Sequence, residues 1–285
     1  MTVCLAVDDP ADKIAFTVPE IKRIGDFVYR WTGMVFGETK RYYIERRIIE
    51  RMARCGKDSV DRYLDYAATQ PDEREILINA FTINETYFYR EDHQFAALSH
   101  DILPAIVAAR RPGDLVRIWS MPCSTGDEAY SIAIWLLENW PLVDAYNIEI
   151  VASDIDSVAM QTAEAGWFGA KALARLSPRI LANYFSEEYD QRRKIIDDLR
   201  ESVQFVPANI IARSTLAGLA RFDVIFCRNL LIYFDDASRA VAVDNLYDWL
   251  NPGGFICLGH SESMNRITDR FAMVRCDDAI VYRKP

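Results

Sequence analysis

The chain has 285 residues, and about half of them are apolar, so it can form one large domain or two smaller ones around a full hydrophobic core. Its formal net charge of −9 argues against general nucleic-acid binding. No stretch of the chain approaches the roughly 18 uncharged apolar residues that a membrane-spanning helix requires.

The N-terminal stretch MTVCLAVDDPADK has no basic region before its short apolar segment, which is not typical of a secretory signal. Six cysteines are scattered without a CxxC pair, and there are three histidines. We therefore expect a cytoplasmic protein with free thiols and without a zinc site.

The first part of the chain, to about residue 80, has the pattern of short helices without strands. VPEIKRIGDFVYRWTG is amphipathic and ends at Gly33, and TKRYYIERRIIERMARCG is amphipathic and ends at Gly56. SVDRYLDYAATQ begins with a serine cap and stops before Pro71, and DEREILINAFTI is a fourth candidate. We predict a helical N-terminal domain over residues 1–90.

From about residue 114, apolar β-rich runs alternate with helical segments. The β-rich runs are LVRIWS, IEIVASD, FDVIFCR, GGFICLGH and DAIVYRK. Such alternation indicates an α/β domain with a mostly parallel sheet, which we place in residues 91–285. The charged segment 167–206 interrupts the alternation, and it is either a small inserted subdomain or a long loop with a helix.

The turn SMPCSTGDEAYS, residues 120–131, joins the first of these strands to a helix. It matches neither GxxxxGK[ST] nor GxGxxG, the two common phosphate-binding patterns. Its small residues at 124–126 would let a ligand approach the backbone, and Asp127 and Glu128 suit a positive ligand rather than a phosphate. An ordinary turn with acidic helix capping would have the same pattern.

Other strands end at the same predicted edge of the sheet. Asp154 follows the second strand, where a carboxylate can hold a pair of ribose hydroxyls, although it or Asp156 could instead cap the next helix. Arg228 and Asn229 follow another strand, and Asn209 could bind an adenine edge. These groups suggest a nucleoside ligand with a cationic end and no phosphate, which fits S-adenosylmethionine.

Five motifs occur in an order that resembles the CheR family of chemotaxis-receptor protein-glutamate O-methyltransferases. They are NETYFYRE at 84–91, CSTGDEAYSIA at 123–133, ASDID at 152–156, FDVIFCRNLLIYFD at 222–235 and LNPGGFICLGHSES at 250–263. The resemblance spans nearly the whole chain. It implies a small helical domain, a Rossmann-like methyltransferase domain and an inserted β-subdomain at 167–206. It also implies S-adenosylmethionine as cofactor, S-adenosylhomocysteine as product and chemoreceptor helices as substrate.

The resemblance further implies which residues line the cofactor and methyl-transfer site. They are Asn84, Thr86, Arg90, Glu128, Asp154, Asn209, Ile210, Arg228, Asn229 and Tyr233. Glu128 and Asp154 would hold the methionine or ribose portions, and Asn209 with Ile210 would contact the adenine region. Pro122 stands where the family usually has a small residue, and it removes a backbone N–H from the turn.

Arg90 and Tyr233 are the candidates for a role in catalysis. A glutamate side chain is ionised at neutral pH and needs no general base to attack a methyl group. Arg90 could aim that carboxylate, or it could instead pair with Glu91 or Asp92. Tyr233 could place the methyl group, or it could serve in packing alone.

The second predicted helix offers a basic surface. At 100° per residue, Lys40, Arg47, Arg51 and Arg54 fall on one face. Residues 20–57 contain ten basic and five acidic residues, although the whole chain is acidic. We expect this face to dock on an acidic partner, with an exposed, solvated face as the alternative.

The segment FSEEYDQRRKIIDDLRESVQF bears on how the enzyme would find its receptor. Some family members use the β-subdomain, with additional glycines, to bind a short aromatic peptide at the receptor's C-terminus. This segment has no glycine and many charges, which disfavour a positive-φ loop and an added strand. We therefore expect independence of such a tether. A methyltransferase with a small-molecule acceptor and a non-catalytic module of the same fold are the alternatives.

Overall fold

The computed structural model describes residues 16–36 and 40–285, so the N-terminal stretch with Cys4 lies outside the described residues. The chain divides into two compact units at the Thr82–Ile83 boundary. Residues 83–90, which the sequence analysis placed in the helical domain, belong to the second unit. No helix in the described ranges is long and apolar enough to cross a membrane.

The first unit contains the four helices that the sequence predicts. They are α1 (Val18–Thr32), α2 (Arg41–Arg54), α3 (Val60–Thr69) and α4 (Pro71–Phe81). Thr17 begins α1 with a capping box, and Gly33, at φ 71°, ends it. Apolar side chains from all four helices share one buried core, which includes Ile24, Ile48 and Leu77.

The basic face predicted on α2 is partly occupied by contacts within this unit. Arg51 forms an ion pair with the buried carboxylate of Glu73, to which the Tyr63 hydroxyl also donates a hydrogen bond of 2.8 Å. Burial opposes ionisation of Glu73, but the hydrogen bonds from Arg51 and Tyr63 hold its pKa below the usual value. Arg47 lies over the Tyr43 ring. Arg51 and Arg47 therefore stabilise the helical unit, and the expected docking face must be revised.

The exposed face of α2 is rotated from the predicted one. Lys40 is half-buried and lies 5.8 Å from the Phe36 ring centroid. Arg54 is 66% exposed and pairs with Glu50, and Arg46 is exposed on the same side of the helix. Of the four cations predicted for docking, only Arg54 is exposed to solvent. Arg46, which was not predicted, is also exposed, so these two residues form the revised basic face.

The second unit is built on a seven-stranded sheet within the described residues, in the order β5-β2-β1-β6-β7-β9-β8. Its strands are β1 (Leu115–Ser120), β2 (Asn147–Ala152), β5 (Val203–Phe205), β6 (Phe222–Cys227), β7 (Leu250–Leu258), β8 (Ala272–Arg275) and β9 (Ile280–Arg283). The first five strands in that order are parallel, and β9 and β8 are added antiparallel. The predicted α/β class with a mostly parallel sheet is confirmed.

Helices connect the strands of this unit. They are α5 (His93–Ala97), α6 (Leu103–Val107), α7 (Asp127–Asn139), α8 (Ser157–Ala165), α9 (Ala170–Leu173), α10 (Pro178–Tyr184), α11 (Asp197–Ser202), α12 (Arg213–Leu216) and α13 (Asp236–Trp249). A π-helical turn over Leu98–Ile102 joins α5 to α6. Because β1 pairs with β2 on one side and β6 on the other, the loops after β1 and β6 diverge there and leave a crevice.

The small subdomain is a β-structure rather than a long loop. Strand β3 (Trp167–Gly169) pairs antiparallel with β4 (Arg192–Lys194), and isolated bridges add residues 185–189 on the other side of β4. Strand β5 lies within the predicted 167–206 segment, but it belongs to the main sheet. The hairpin turn has positive φ at Asp190 and Gln191, so a tight left-handed turn forms here without glycine, contrary to the sequence argument.

Candidate active site at the carboxyl edge of the sheet

A cleft opens where β1 and β6 end, and it holds about 470 Å³ of space including its mouth. Its walls come from the segment 83–95, the turn after β1 and the residues that follow β6. Five of the predicted site residues line it together: Thr86, Arg90, Glu128, Arg228 and Asn229. The strand order therefore assembles a single surface from residues far apart in sequence.

A buried ionic network forms the wall of the cleft. The Arg228 side chain is 2% exposed and pairs with Glu128 at 2.9 Å and with Glu91 at 3.4 Å. Burial raises the pKa of Glu128, which also accepts a hydrogen bond of 2.7 Å from Ser120 Oγ. Burial opposes ionisation of Glu91 too, but hydrogen bonds from His260 and the Arg228 charge hold its pKa below the usual value. Two carboxylates around one guanidinium leave an excess negative charge, which suits a cationic ligand.

A second hydrogen-bond network ties the β1 turn to the end of β2. Asp154 accepts hydrogen bonds from the backbone N–H groups of Ser124 at 2.7 Å and Asp156 at 2.9 Å. Asn84 accepts a bond of 2.9 Å from Ser124 Oγ and donates one of 2.6 Å to the Asp156 carboxylate. Asp156 also caps α8, so the two aspartates have separate tasks. Burial raises the pKa of Asp154 to about 6.

Arg90 lines the cleft, and Tyr233 lies near Arg90 but is not part of the cleft lining. Tyr233 ends the 3₁₀ turn Leu231–Tyr233, and burial raises its pKa while the nearby Arg90 charge opposes the rise. Arg90 donates to the Glu85 carbonyl and lies 5.9 Å from the centroid of the Tyr87 ring. Glu91 pairs with Arg228 instead, so the predicted alternative of an Arg90–Glu91 pair does not occur.

Asn209 and Ile210 lie near this edge, but their side chains do not line the cleft. The Asn209 carboxamide accepts a bond of 3.1 Å from Ile211 N–H within its own loop, and Ile210 is buried. Ala208 N–H donates to the Asp154 carbonyl at 3.1 Å, which fixes this loop beside the end of β2. Pro122, which replaces a small residue of the family pattern, does line the cleft.

Glu262 supports the cleft from outside its lining, and the sequence did not reveal it. Its half-buried carboxylate accepts hydrogen bonds from the backbone N–H groups of Asn229 and Gly259, each at 2.8 Å, and of Leu231 at 2.7 Å. A Cβ at Gly259 would lie 2.7 Å from Asn229 and 2.9 Å from Glu262, so only glycine fits there. The HSES motif contains Glu262 and was the one signal in the sequence. It did not single out Glu262, because an acidic residue after a strand is usually exposed.

Glu262 therefore fixes the loop that carries Asn229 and Tyr233. Asn229 has a φ of 58°, in the left-handed region, and its N–H donates to the Glu262 carboxylate. Burial raises the pKa of Glu262. Among the described residues, no group of histidine, cysteine, aspartate or glutamate side chains could hold a metal ion.

Comparison with known proteins decides the family. The model of the CheR methyltransferase SAM-binding domain matches residues 84–280, and that of the CheR methyltransferase all-alpha domain matches residues 19–82. The chain is 45% identical to chemotaxis protein methyltransferase 2 of Vibrio cholerae over 96% of each chain. The chain belongs to the CheR methyltransferase family. It is also 31% identical to the chemotaxis protein methyltransferase of Escherichia coli, over 92% of this chain and 90% of the relative.

As a CheR-family protein, the chain is a methyltransferase that uses S-adenosylmethionine, and the cleft fits that cofactor. The excess negative charge around Arg228 matches the sulfonium and ammonium groups. Arg228 Nε is buried without a hydrogen-bond partner among the described residues, so the guanidinium group is not fully satisfied by the protein. The small side chain of Ser124 lets a ligand approach the turn.

We predict that Glu262→Gln lowers methyl transfer at least tenfold. The amide keeps the shape, but its NH₂ group would face backbone N–H donors, so the loop of Asn229 and Tyr233 would lose an acceptor. The measurement is turnover at saturating S-adenosylmethionine. Glu201→Gln, at a carboxylate that is 70% exposed, should leave turnover unchanged. Equal turnover in the two variants would show that Glu262 does not position the loop.

Proposed function

We propose that this enzyme transfers the methyl group of S-adenosylmethionine to glutamate side chains of chemoreceptors. The products would be glutamate methyl esters and S-adenosylhomocysteine. The proposal is carried by one observation: the same cleft has an acidic wall around Glu128 and a cation, Arg90, in its lining. The acidic wall suits the cofactor and Arg90 suits an acceptor carboxylate. The names of the curated relatives support a substrate among chemotaxis proteins.

The proposed chemistry needs little more than positioning. Bound S-adenosylmethionine supplies an electrophilic methyl group on a positively charged sulfur. Arg90 would hold the acceptor carboxylate, which is ionised at neutral pH and needs no general base. Tyr233, which lies near Arg90, would help to place the methyl group, and the buried Arg228 network would limit water at the reacting atoms. Because opposite charges cancel during transfer, a cleft drier than water favours the reaction.

We assign the remaining predicted site residues to the cofactor: Thr86 lines the cleft, and the others lie beside it. Asp154 would accept hydrogen bonds from the ribose hydroxyls, since an ionised carboxylate has about four acceptor positions and backbone amides occupy only part of them. Asn84 and Thr86 would contact the methionine portion from the segment before α5. Asn209 and Ile210 would flank the adenine through their loop, whose backbone is tied to β2.

Asp154 leads to a prediction for pH dependence. Its pKa is raised to about 6, and the carboxylate form is the one that can accept bonds from the ribose. Affinity for S-adenosylmethionine should be constant above pH 7 and should fall about tenfold for each pH unit below 6. Calorimetric titration between pH 5 and 8 measures this directly.

Two variants separate Asp154 from its neighbours in that titration. Asp154→Asn should bind weakly at every pH and lose the dependence. Asp127→Asn should keep it, although burial also raises the pKa of Asp127 to about 6, because one of its oxygens accepts a bond from Thr125 Oγ1 and the other is fully buried, away from the ligand. A flat wild-type affinity from pH 5 to 8 would rule out the assignment of Asp154.

The function itself is tested with tritium-labelled S-adenosylmethionine and receptor-containing membranes. Wild-type enzyme should place label on the receptor, and mild base should release it as methanol, as expected of an ester. Arg90→Ala should reduce the rate at least a hundredfold because the acceptor carboxylate is no longer aimed. Arg111→Ala, at an exposed arginine outside the cleft, should not. Label on small molecules instead would favour the first alternative, and the absence of transfer would favour a non-catalytic module.

We place the enzyme in the cytoplasm, where its described cysteines would remain free thiols. We also propose that it acts without a receptor C-terminal tether. The sheet of the subdomain is small, and its outer segment carries Glu187 and Glu188, whose charges disfavour an added strand. In the same assay, a receptor without its C-terminal tail should be methylated as fast as the intact one. A tenfold slower rate would contradict this.

Docking would use the revised basic face of α2. The double variant Arg46→Glu and Arg54→Glu should raise the KM for receptor about tenfold and leave cofactor affinity unchanged, because both side chains are exposed. Added salt should raise the wild-type KM by screening. Arg111→Glu with Arg275→Glu makes the same change of charge elsewhere. If it raises KM equally, net charge rather than this face is responsible.

A further inference from the structure

A second groove borders the loop that helps to form the cleft. Arg228 and Asn229 line the cleft, whereas the next residues, Leu231 and Ile232, line the groove. The opposite wall is the segment 261–267, which follows β7. The groove has an apolar part, since Ile232 is 43% exposed and Ile267 lies beside it.

The groove also contains two arginines, Arg239 and Arg266, which differ in their partners. Arg239 is held in the wall by bonds of 3.0 Å to the Leu231 carbonyl and to Asp236. Arg266 is exposed, and no side chain among the described residues pairs with its guanidinium group. Glu262 reaches this groove, but both of its oxygens are occupied by backbone N–H groups. In a chain of net charge −9, an unpaired arginine beside the cleft offers a specific contact for a carboxylate.

The position of the groove matches the space that a helical substrate must occupy. Ile232 is three steps along the chain from Asn229, a distance of at most about 10 Å. Two turns of a helix span about 11 Å. A receptor helix that presents a glutamate to the cleft therefore places residues one or two turns away over the groove.

We propose that this groove binds the acidic stretch of the receptor helix that flanks the methyl-accepting glutamate. Arg266 pairs with a carboxylate one or two turns from that glutamate, and Ile232 packs against an apolar side chain of the same helix. This proposal rests on the proposed function. It adds that the groove recognises the receptor sequence next to the methyl-accepting glutamate. A nucleic-acid strand is a poorer occupant because it needs several cations in a row.

The test compares Arg266→Glu with Arg275→Glu, using a purified cytoplasmic fragment of a chemoreceptor as substrate. Arg275 is exposed on β8, outside the groove, and its reversal makes the same change in net charge. Arg266→Glu should raise the KM at least tenfold, with kcat and affinity for S-adenosylhomocysteine within twofold of wild type. Arg275→Glu should leave all three within twofold. Arg266→Ala, a milder change at an exposed position, should give an intermediate KM.

A charge exchange completes the test. Acidic residues of the receptor within two turns of the methylated glutamate are replaced singly by lysine, and one replacement should restore the KM of Arg266→Glu. Equal KM values for the two arginine reversals, or no restoration by any lysine, would overturn the proposal. Failure of the proposed function is distinguishable, because wild-type enzyme would then form no methyl ester on the fragment.

Discussion

The cleft depends on one buried guanidinium group. Arg228 contacts Glu128 at the start of α7, Glu91 in the segment before α5 and the carbonyl of Arg90. Arg228 and these partners come from three parts of the chain that meet only in the folded state. Loss of the arginine would leave two carboxylates in a buried site without their cation, which is far more costly than loss of an exposed ion pair. The same contacts that hold the walls together also give them their excess negative charge.

Other acidic residues at this edge act on backbone groups. Asp154 binds an amide of the β1 turn, and Glu262 binds two amides of the loop after β6 and the amide of Gly259 after β7. Each carboxylate thereby fixes a loop that would otherwise have unpaired donors close to the ligand. A site arranged in this way before ligand binding spends less free energy on ordering its loops, which suits a reaction that depends on positioning.

The sequence predicts most of the fold because local rules determine it. Periodicity and caps locate the helices of the first unit, and alternation of apolar runs with helices indicates the parallel sheet. The side of α2 that is buried was harder to predict. A helical wheel groups Arg47 with Arg51, but it does not reveal that Glu73, on another helix, would pair with Arg51. Glu262 was missed for the same reason, since its partners are backbone amides from another loop.

The function of this enzyme depends on the cleft between the loops after β1 and β6 as the place where the cofactor binds. Hydrogen–deuterium exchange of the whole chain, with and without saturating S-adenosylhomocysteine, tests it most directly. We expect slower exchange at amides in 84–91, 122–128, 154–156 and 228–233, with little change at 261–267 beyond the amides next to Glu262. Saturable binding that leaves those four segments unchanged, or that protects mainly another part of the second unit, would contradict it.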